Sequence, residues 1–222
     1  MADIIIFGAS MAAQVAFNYL TKDSDHRVVG FTVDAAYATS DRFEGLPLVP
    51  WGRLEGEFPP SQVQLFGPFS HRRLNEFRRD RYLEGKARGY RFASFIHPRC
   101  IVDAKEIGEH CFILPGTVIE PCTTIGNNVI IWGGSYVSHH CVLGDHCFLS
   151  GCTGIGAATR IGERCFVGAM VGTLPSITIG DGCFLAAGCA FIAKDIPSGS
   201  IVRRVAKVSI ARISATQIRD LL

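Results

Sequence analysis

No apolar run in the sequence is long enough to cross a bilayer, since Gly, Pro or charge breaks each one after a few residues. Charge of one sign is equally scarce. With 22 basic and 20 acidic residues the formal net charge is +2, which leaves no electrostatic footprint for nucleic acid or an anionic membrane. Any anionic ligand must therefore be met locally. No CxxC occurs among the nine cysteines, and an odd count in a chain of 222 residues argues against the disulfide framework of a secreted miniprotein. Met1-Ala2-Asp3 carries no basic leader or cleavage site, so Ile4-Ile5-Ile6-Phe7-Gly8 reads as a first core strand and the expected location is cytoplasmic. What is abundant is apolar surface, 48% of residues, ample for a packed core.

The apolar residues form a comb. Stepping by six from Phe95 gives Ile101, Ile107, Ile113, Ile119, Ile125, Ile131, Val137, Leu143, Leu149, Ile155, Ile161, Val167, Thr173, Ile179, Leu185 and Phe191. Neither a helical period of 3.6 nor a strand period of 2 makes such a series, whereas the hexapeptide repeat of a parallel β-helix does. The residue two before each tooth shares its inward face and should be small. Cys111, Cys141, Cys147, Cys165, Cys183 and Cys189 occupy that position, so they read as reduced interior spacers. The outward position repeats every eighteen residues as Phe112, Ile130, Phe148, Phe166 and Phe184, so three hexapeptides make one coil. An exposed ladder of that kind demands cover, expected from another subunit or from the C-terminal segment. Glycine after the tooth (Gly108, Gly126, Gly144, Gly162, Gly180) marks corners, where it is expected to relieve unusual dihedrals.

Ahead of the comb the chain reads strand Asp3 to Phe7, turn Gly8-Ala9-Ser10, helix through Leu20, strand Arg27 to Val33 ending at Asp34, strand Val63 to Phe66 and helix His71 to about Ala87. A glycine turn at a helix N-terminus can hold phosphate, and a carboxylate closing the second strand can bind ribose hydroxyls. The turn lacks GxGxxG, so a purely structural role stays open. The Arg72, Arg73, Arg78, Arg79 and Arg81 run reads as a solvated helix face. The expected domains are 1–92, a Rossmann-like α/β unit; 93–202, the β-helix; and 203–222, a C-terminal tail or helix.

His139 and His140 sit together at a corner, where side chains can leave the prism and act as general base. His110 and His146 share a register two coils apart, roughly 10 Å at 4.8 Å per coil, too far for one zinc ion within a chain. A metal site built on them would have to be assembled between subunits.

The turn Ile5-Ile6-Phe7-Gly8-Ala9-Ser10, the isoleucine comb, Val137-Ser-His-His-Cys-Val-Leu-Gly144 and Lys194-Asp-Ile-Pro197 together resemble the sugar acyltransferase group of left-handed β-helix proteins. That resemblance, which covers essentially the whole chain, implies a trimeric acetyl-CoA-dependent acetyltransferase acting on a nucleotide-linked amino sugar in bacterial surface glycan synthesis. It implies His139 as the catalytic base, with His140 standing where many relatives carry an acid, so His140 joins the catalytic set. It further implies CoA contacts near Ala157, Gly168, Ala169 and Ala187, with Lys194, Arg203 and Arg204 toward its phosphates, and acceptor nucleotide contacts at Gly8, Ala9, Ser10 and Asp34. Three other functions stay open: sugar O-acetylation, a zinc enzyme resembling the γ-type carbonic anhydrases, and a non-catalytic solenoid that binds sugar nucleotides.

Overall fold

The structure, a computed structural model, describes residues 2–190 and 192–203. Strand alternation sets the front domain. In β1 (Asp3–Phe7), Ile4 and Ile6 join one core, Ile5 and Phe7 the other, and all four are buried, so the sheet needs cover on both faces. α1 (Met11–Asp23) brings Ala13, Ala16 and Leu20 to the first core. The sheet continues through β2 (Arg27–Val33), the β3 (Arg42–Phe43) and β4 (Leu46–Pro50) hairpin and, after the short α2 (Leu54–Glu57), β5 (Val63–Phe66). α3 (Glu76–Ala87) brings Phe77 and Tyr82 to the second core, and β6 (Arg91–Phe92) closes the sheet. The order is β3-β4-β2-β1-β5-β6, parallel except for the hairpin. It reverses at β1, which opens a crevice beyond the carboxyl ends of β1, β2 and β5.

Helix α3 begins at Glu76, not at His71. Arg73, Leu74 and Asn75 take left-handed backbone (φ 52°, 51° and 65°), which interrupts the helical turn. Asn75 is buried there, and its Nδ2 donates to the carbonyls of Arg164 and Cys165 at 3.3 and 3.0 Å.

From Phe95 onward every strand is two residues long and pairs with strands about one coil before and after it. The first solenoid sheet runs from Phe95–Ile96 to Ile201–Val202, the second from Ile101–Val102 to Gly154–Ile155, and the third from Glu106–Ile107 to Thr178–Ile179. The comb keeps register from Ile107 to Leu185 and slips at its start. Phe95 pairs with Phe112 and Ile101 with Val118, so both point outward, and Ile101 is 61% exposed while Val102 packs on the interior. The turn from Val102 to Ile107 is one residue short of a full repeat. The six spacer cysteines are buried free thiols inside the prism.

The corner glycines have a different role from the one expected. A Cβ on Gly126 would lie 2.8 Å from the backbone nitrogen of Asp145, so close stacking of successive coils, not a special dihedral, requires glycine. Left-handed backbone falls instead on residues with side chains, including His110, Asn128, His146 and Arg164 along one edge and Cys122, His140, Ala158 and Ser176 along another.

The aromatic wall of the first sheet is covered by the front domain of the same chain, which corrects the expectation of cover from another subunit or from the tail. Phe112 meets Phe66 and Phe69 at ring distances of 5.2 and 4.8 Å, Tyr19 of α1 stacks on Phe95, and His71 lies between Phe148 and Phe166. Covering each such side chain contributes about 1.5–3 kcal/mol, ample reason for the two domains to dock. The expected tail beyond Arg203 lies outside the described residues.

Candidate active site

Two places gather chemistry. The first is a cavity of about 440 Å³ in the crevice of the front sheet, lined at the strand ends by Gly8, Ala9, Ser10 and Asp34 and closed by Tyr37, Phe69, Arg72 and Phe77. Its backbone favours an anion, because Ser10 stands at the N-terminus of the 13-residue α1 and its side chain makes no capping bond. Asp34 is not free, however. Arg81 pairs with it at 2.8 Å and also reaches Glu84, so a ligand hydroxyl would share the carboxylate with a guanidinium.

The second place is the corner between the second and third solenoid sheets. His139 and His140 are both exposed there, with their Nδ1 atoms 3.0 Å apart and their rings at 89°. Two imidazoles bond through Nδ1 when one nitrogen carries a proton and the other does not, which leaves Nε2 of each ring to solvent or a ligand. Glu120, one coil upstream of Ser138, sits under this turn. Its Oε2 accepts from the Ser138 hydroxyl at 2.7 Å and from the His139 backbone N–H at 2.8 Å, while Oε1 accepts from the Tyr136 hydroxyl. The Tyr136 and Ser138 hydroxyls and the His139 N–H hold the Glu120 carboxyl below the usual range. Glu120 escaped the sequence reading, although a step of eighteen back from Ser138 lands on it.

The residues expected to meet CoA are divided between corners. Ala157 lies one coil above His139 on the same edge; Gly168, Ala169 and Ala187 belong to the edge between the first and second sheets. Both edges border the second sheet, whose outward Tyr136 is 43% exposed beside an open Gly154. Lys194 and Arg203 are exposed past the last full coils, and Arg204 lies outside the described residues.

The solenoid histidines His110 and His146 are sealed where the domains dock. His110 Nε2 accepts from the Gly67 N–H at 2.9 Å, its ring stacks on Tyr82, and its Nδ1 is buried without a partner. His146 Nδ1 accepts from Asn128 Nδ2 at 2.9 Å. Burial and then the Arg78 charge push His110 well below its ordinary value and His146 down to about 4. Sealed in this way, they cannot assemble a metal site between subunits, and no cluster of three potential ligands occurs among the described residues. Arg78, expected on a solvated face, is fully buried between them. Its guanidinium donates to the carbonyls of Asn128, His146 and Cys147 and to Asn128 Oδ1 at 2.7 Å; at this corner the Asn128 and His146 carbonyls take no backbone N–H among the described residues, while that of Cys147 also accepts from the Ile130 N–H. Burial lowers Arg78 to about 10, which leaves it charged at neutral pH.

Comparison with known proteins bears on both places. Residues 104–157 match the bacterial transferase hexapeptide (six repeats), and residues 158–190 match the hexapeptide repeat of succinyl-transferase. The matched stretch of the solenoid carries the hexapeptide repeat that these transferase families share. The likeness in fold extends to the front domain. The acetyltransferase domain of PglB from Neisseria gonorrhoeae superposes with a TM-score of 0.79 at 23% identity, over 93% of this chain and 99% of its own. PerB from Caulobacter crescentus, solved with CoA and GDP-perosamine, gives 0.79 at 24% identity over 90% and 93%. WeeI from Acinetobacter baumannii gives 0.76 at 19% over 93% and 99%. No curated protein matches the sequence. The hexapeptide domain thus sits in the whole-chain fold of these acetyltransferases, front domain included, as the resemblance implied.

Proposed function

We propose that the protein is an acetyl-CoA-dependent acetyltransferase that N-acetylates a nucleotide-linked amino sugar in bacterial surface glycan synthesis. The observation that carries this reading is the pairing of an anion-ready cavity at Gly8-Ala9-Ser10 with an exposed histidine base on a transferase hexapeptide solenoid. Support for the substrates comes from PglB, solved with acetyl coenzyme A, and from PerB, solved with CoA and GDP-perosamine.

In this mechanism the nucleotide diphosphate rests on the backbone at Gly8 to Ser10, within reach of Arg72. The sugar amine attacks the thioester carbonyl of acetyl-CoA, His139 Nε2 takes the amine proton, and the C–S bond breaks to leave CoA thiolate, which leaves with a proton. Nε2 acts because Nδ1 is occupied by His140. The small side chains at Ala157, Gly168, Ala169 and Ala187 leave corner backbone open to CoA, with Lys194 and Arg203 near the end of the solenoid for its phosphates.

The cavity and the base cannot meet within one chain. The front domain covers the first sheet, and the His139 corner is the one edge of the triangular prism that does not border that sheet. With sides of about six residues at 3.3 Å each, the separation is on the order of 15 Å through packed core. The site is therefore completed by a second copy, in a homotrimer packed on the second sheet, which the front domain leaves open. Mass spectrometry of products from acetyl-CoA and a panel of UDP-, dTDP- and GDP-linked amino and neutral sugars tests the reading. One acetylated amino sugar, lost in His139→Ala, supports it; an acetylated neutral sugar replaces N- with O-transfer, and no product from any sugar removes the acceptor.

A further inference from the structure

A histidine that accepts a proton in turnover becomes a cation, and something must stabilise it. A carboxylate bonded to Nδ1 would do so directly. Here Nδ1 of His139 faces Nδ1 of His140, which orients the ring but brings no negative charge. The charge at this corner comes from the neighbouring coil. Glu120 accepts three hydrogen bonds from the turn that carries His139, yet among the described residues no Lys or Arg pairs with it. A carboxylate so held, with no cation of its own, stands ready to balance the imidazolium formed beside it.

We propose that Glu120 is a positioning residue for the His139 base: it fixes the backbone of the histidine turn and supplies, from one coil upstream, the negative charge that His140 does not. This rests on the reading of His139 as the base. By coil register the groups around the imidazole are Tyr136 and His140 on its own turn and Glu120 and Cys122 on the coil below. The coil above brings Ala157 and Ala158, with Arg160 on the following strand. Glu120 is the one anion of this set, and it opposes Arg160. The arrangement moves the acid from the residue after the base to the coil beneath it, under the preceding Ser138, a placement that a solenoid offers because stacking puts positions eighteen apart side by side.

Glu120→Gln tests the charge while keeping the shape, since the amide oxygen still accepts and the Tyr136 hydroxyl can turn to accept from the new amide. The experiment is an NMR titration of the histidine imidazoles in the full chain, with the His139 signals assigned by their loss in His139→Ala. Loss of the charge should lower the His139 midpoint by about half a unit, a threefold change in proton affinity. Glu120→Asp should restore most of it. An unmoved midpoint in a folded Glu120→Gln overturns the proposal, as does a Glu120→Asp variant that behaves like the Gln variant. If Glu120→Gln does not fold, salt decides in the wild-type protein. Raising salt screens an exposed carboxylate and should lower the midpoint, and a midpoint indifferent to salt counts against Glu120. None of these readouts needs the acceptor sugar. A failed base assignment appears separately, as turnover that survives His139→Ala.

Discussion

Two corners of one solenoid carry histidine in the same left-handed backbone, and their fates are opposite. His110 and His146 (φ 59° and 63°) are sealed under α3 with lowered proton affinity, whereas His140 (φ 59°) and its neighbour His139 stand exposed over a carboxylate. Sequence position in the repeat is the same in kind; the difference is what each edge faces. The first edge borders the aromatic sheet and therefore the front domain, so its histidines are neutral acceptors for Gly67 and Asn128. Among the described residues nothing of the front domain packs on the second edge. A corner residue's role is thus set by which sheets flank it, a fact that lies one level above the repeat.

The largest effects should separate the corners by what fails. His139→Ala should lower acetyl transfer by about 10²–10⁴-fold, the usual contribution of a positioned base, with an unchanged melting temperature. A thiol-release assay beside a thermal melt checks both, and a variant that melts early without losing rate would reverse the assignment of the two corners. Arg78→Ala should do the opposite in kind. It leaves the carbonyls of Asn128 and His146 without a donor at a buried interface and that of Cys147 with only the Ile130 N–H, at a cost of about 3–5 kcal/mol, read as a lower urea midpoint. Arg78→Met, which keeps volume but donates nothing, separates packing from hydrogen bonding.

The solenoid was legible because its interior obeys short periods. Teeth six apart and spacers two before them read directly from the letters, as did β1, β2 and β5. The slip at Phe95 and Ile101 was not legible, since one missing residue in the turn before Ile107 leaves the list of apolar letters intact while turning two of them outward. Glycine at the corners was visible, but its reason, coils stacked too closely for a Cβ, appears only in three dimensions. The wall from Phe112 to Phe184 announced that it would be covered and could not say by what. Arg78 looked like one of five surface arginines because helical spacing does not reveal that one face meets free carbonyls. Gly8, Ala9, Ser10 and Asp34 are brought together around one cavity, while the partner of Asp34 is Arg81, forty-seven residues away. His139 was singled out by its corner, and Glu120 was missed because its neighbour lies one coil away, not one residue.

The smaller effects concern protons and thiols. Because the folded-state pKa values of His110 and His146 lie below the ordinary 6.5, the unfolded chain binds more protons between that value and about 4. Their contribution is whole above pH 6.5 and is lost as pH falls toward 4. The urea midpoint should therefore drop between pH 7 and pH 5, and His146→Asn should flatten the profile. A profile equally steep in His146→Asn would shift the acid sensitivity onto His110, whose unpartnered Nδ1 makes it the more strained of the pair.

The mildest test contrasts the outer edges with the interior and leaves stability alone. Cys122 and Cys152 are exposed, Cys100 is half-buried, and the six spacer thiols are buried, with Cys111 pushed up to about 11 by burial. The thiolate is the reactive form, so native alkylation at pH 8 should label Cys122 and Cys152 within minutes and the interior six only on unfolding. Acetyl-CoA at saturating concentration should slow labelling at Cys122, which stands one coil below His140, if the thioester occupies that edge. Equal labelling with and without acetyl-CoA would place the thioester on the Gly168, Ala169 and Ala187 edge, where Cys152 is the thiol to watch.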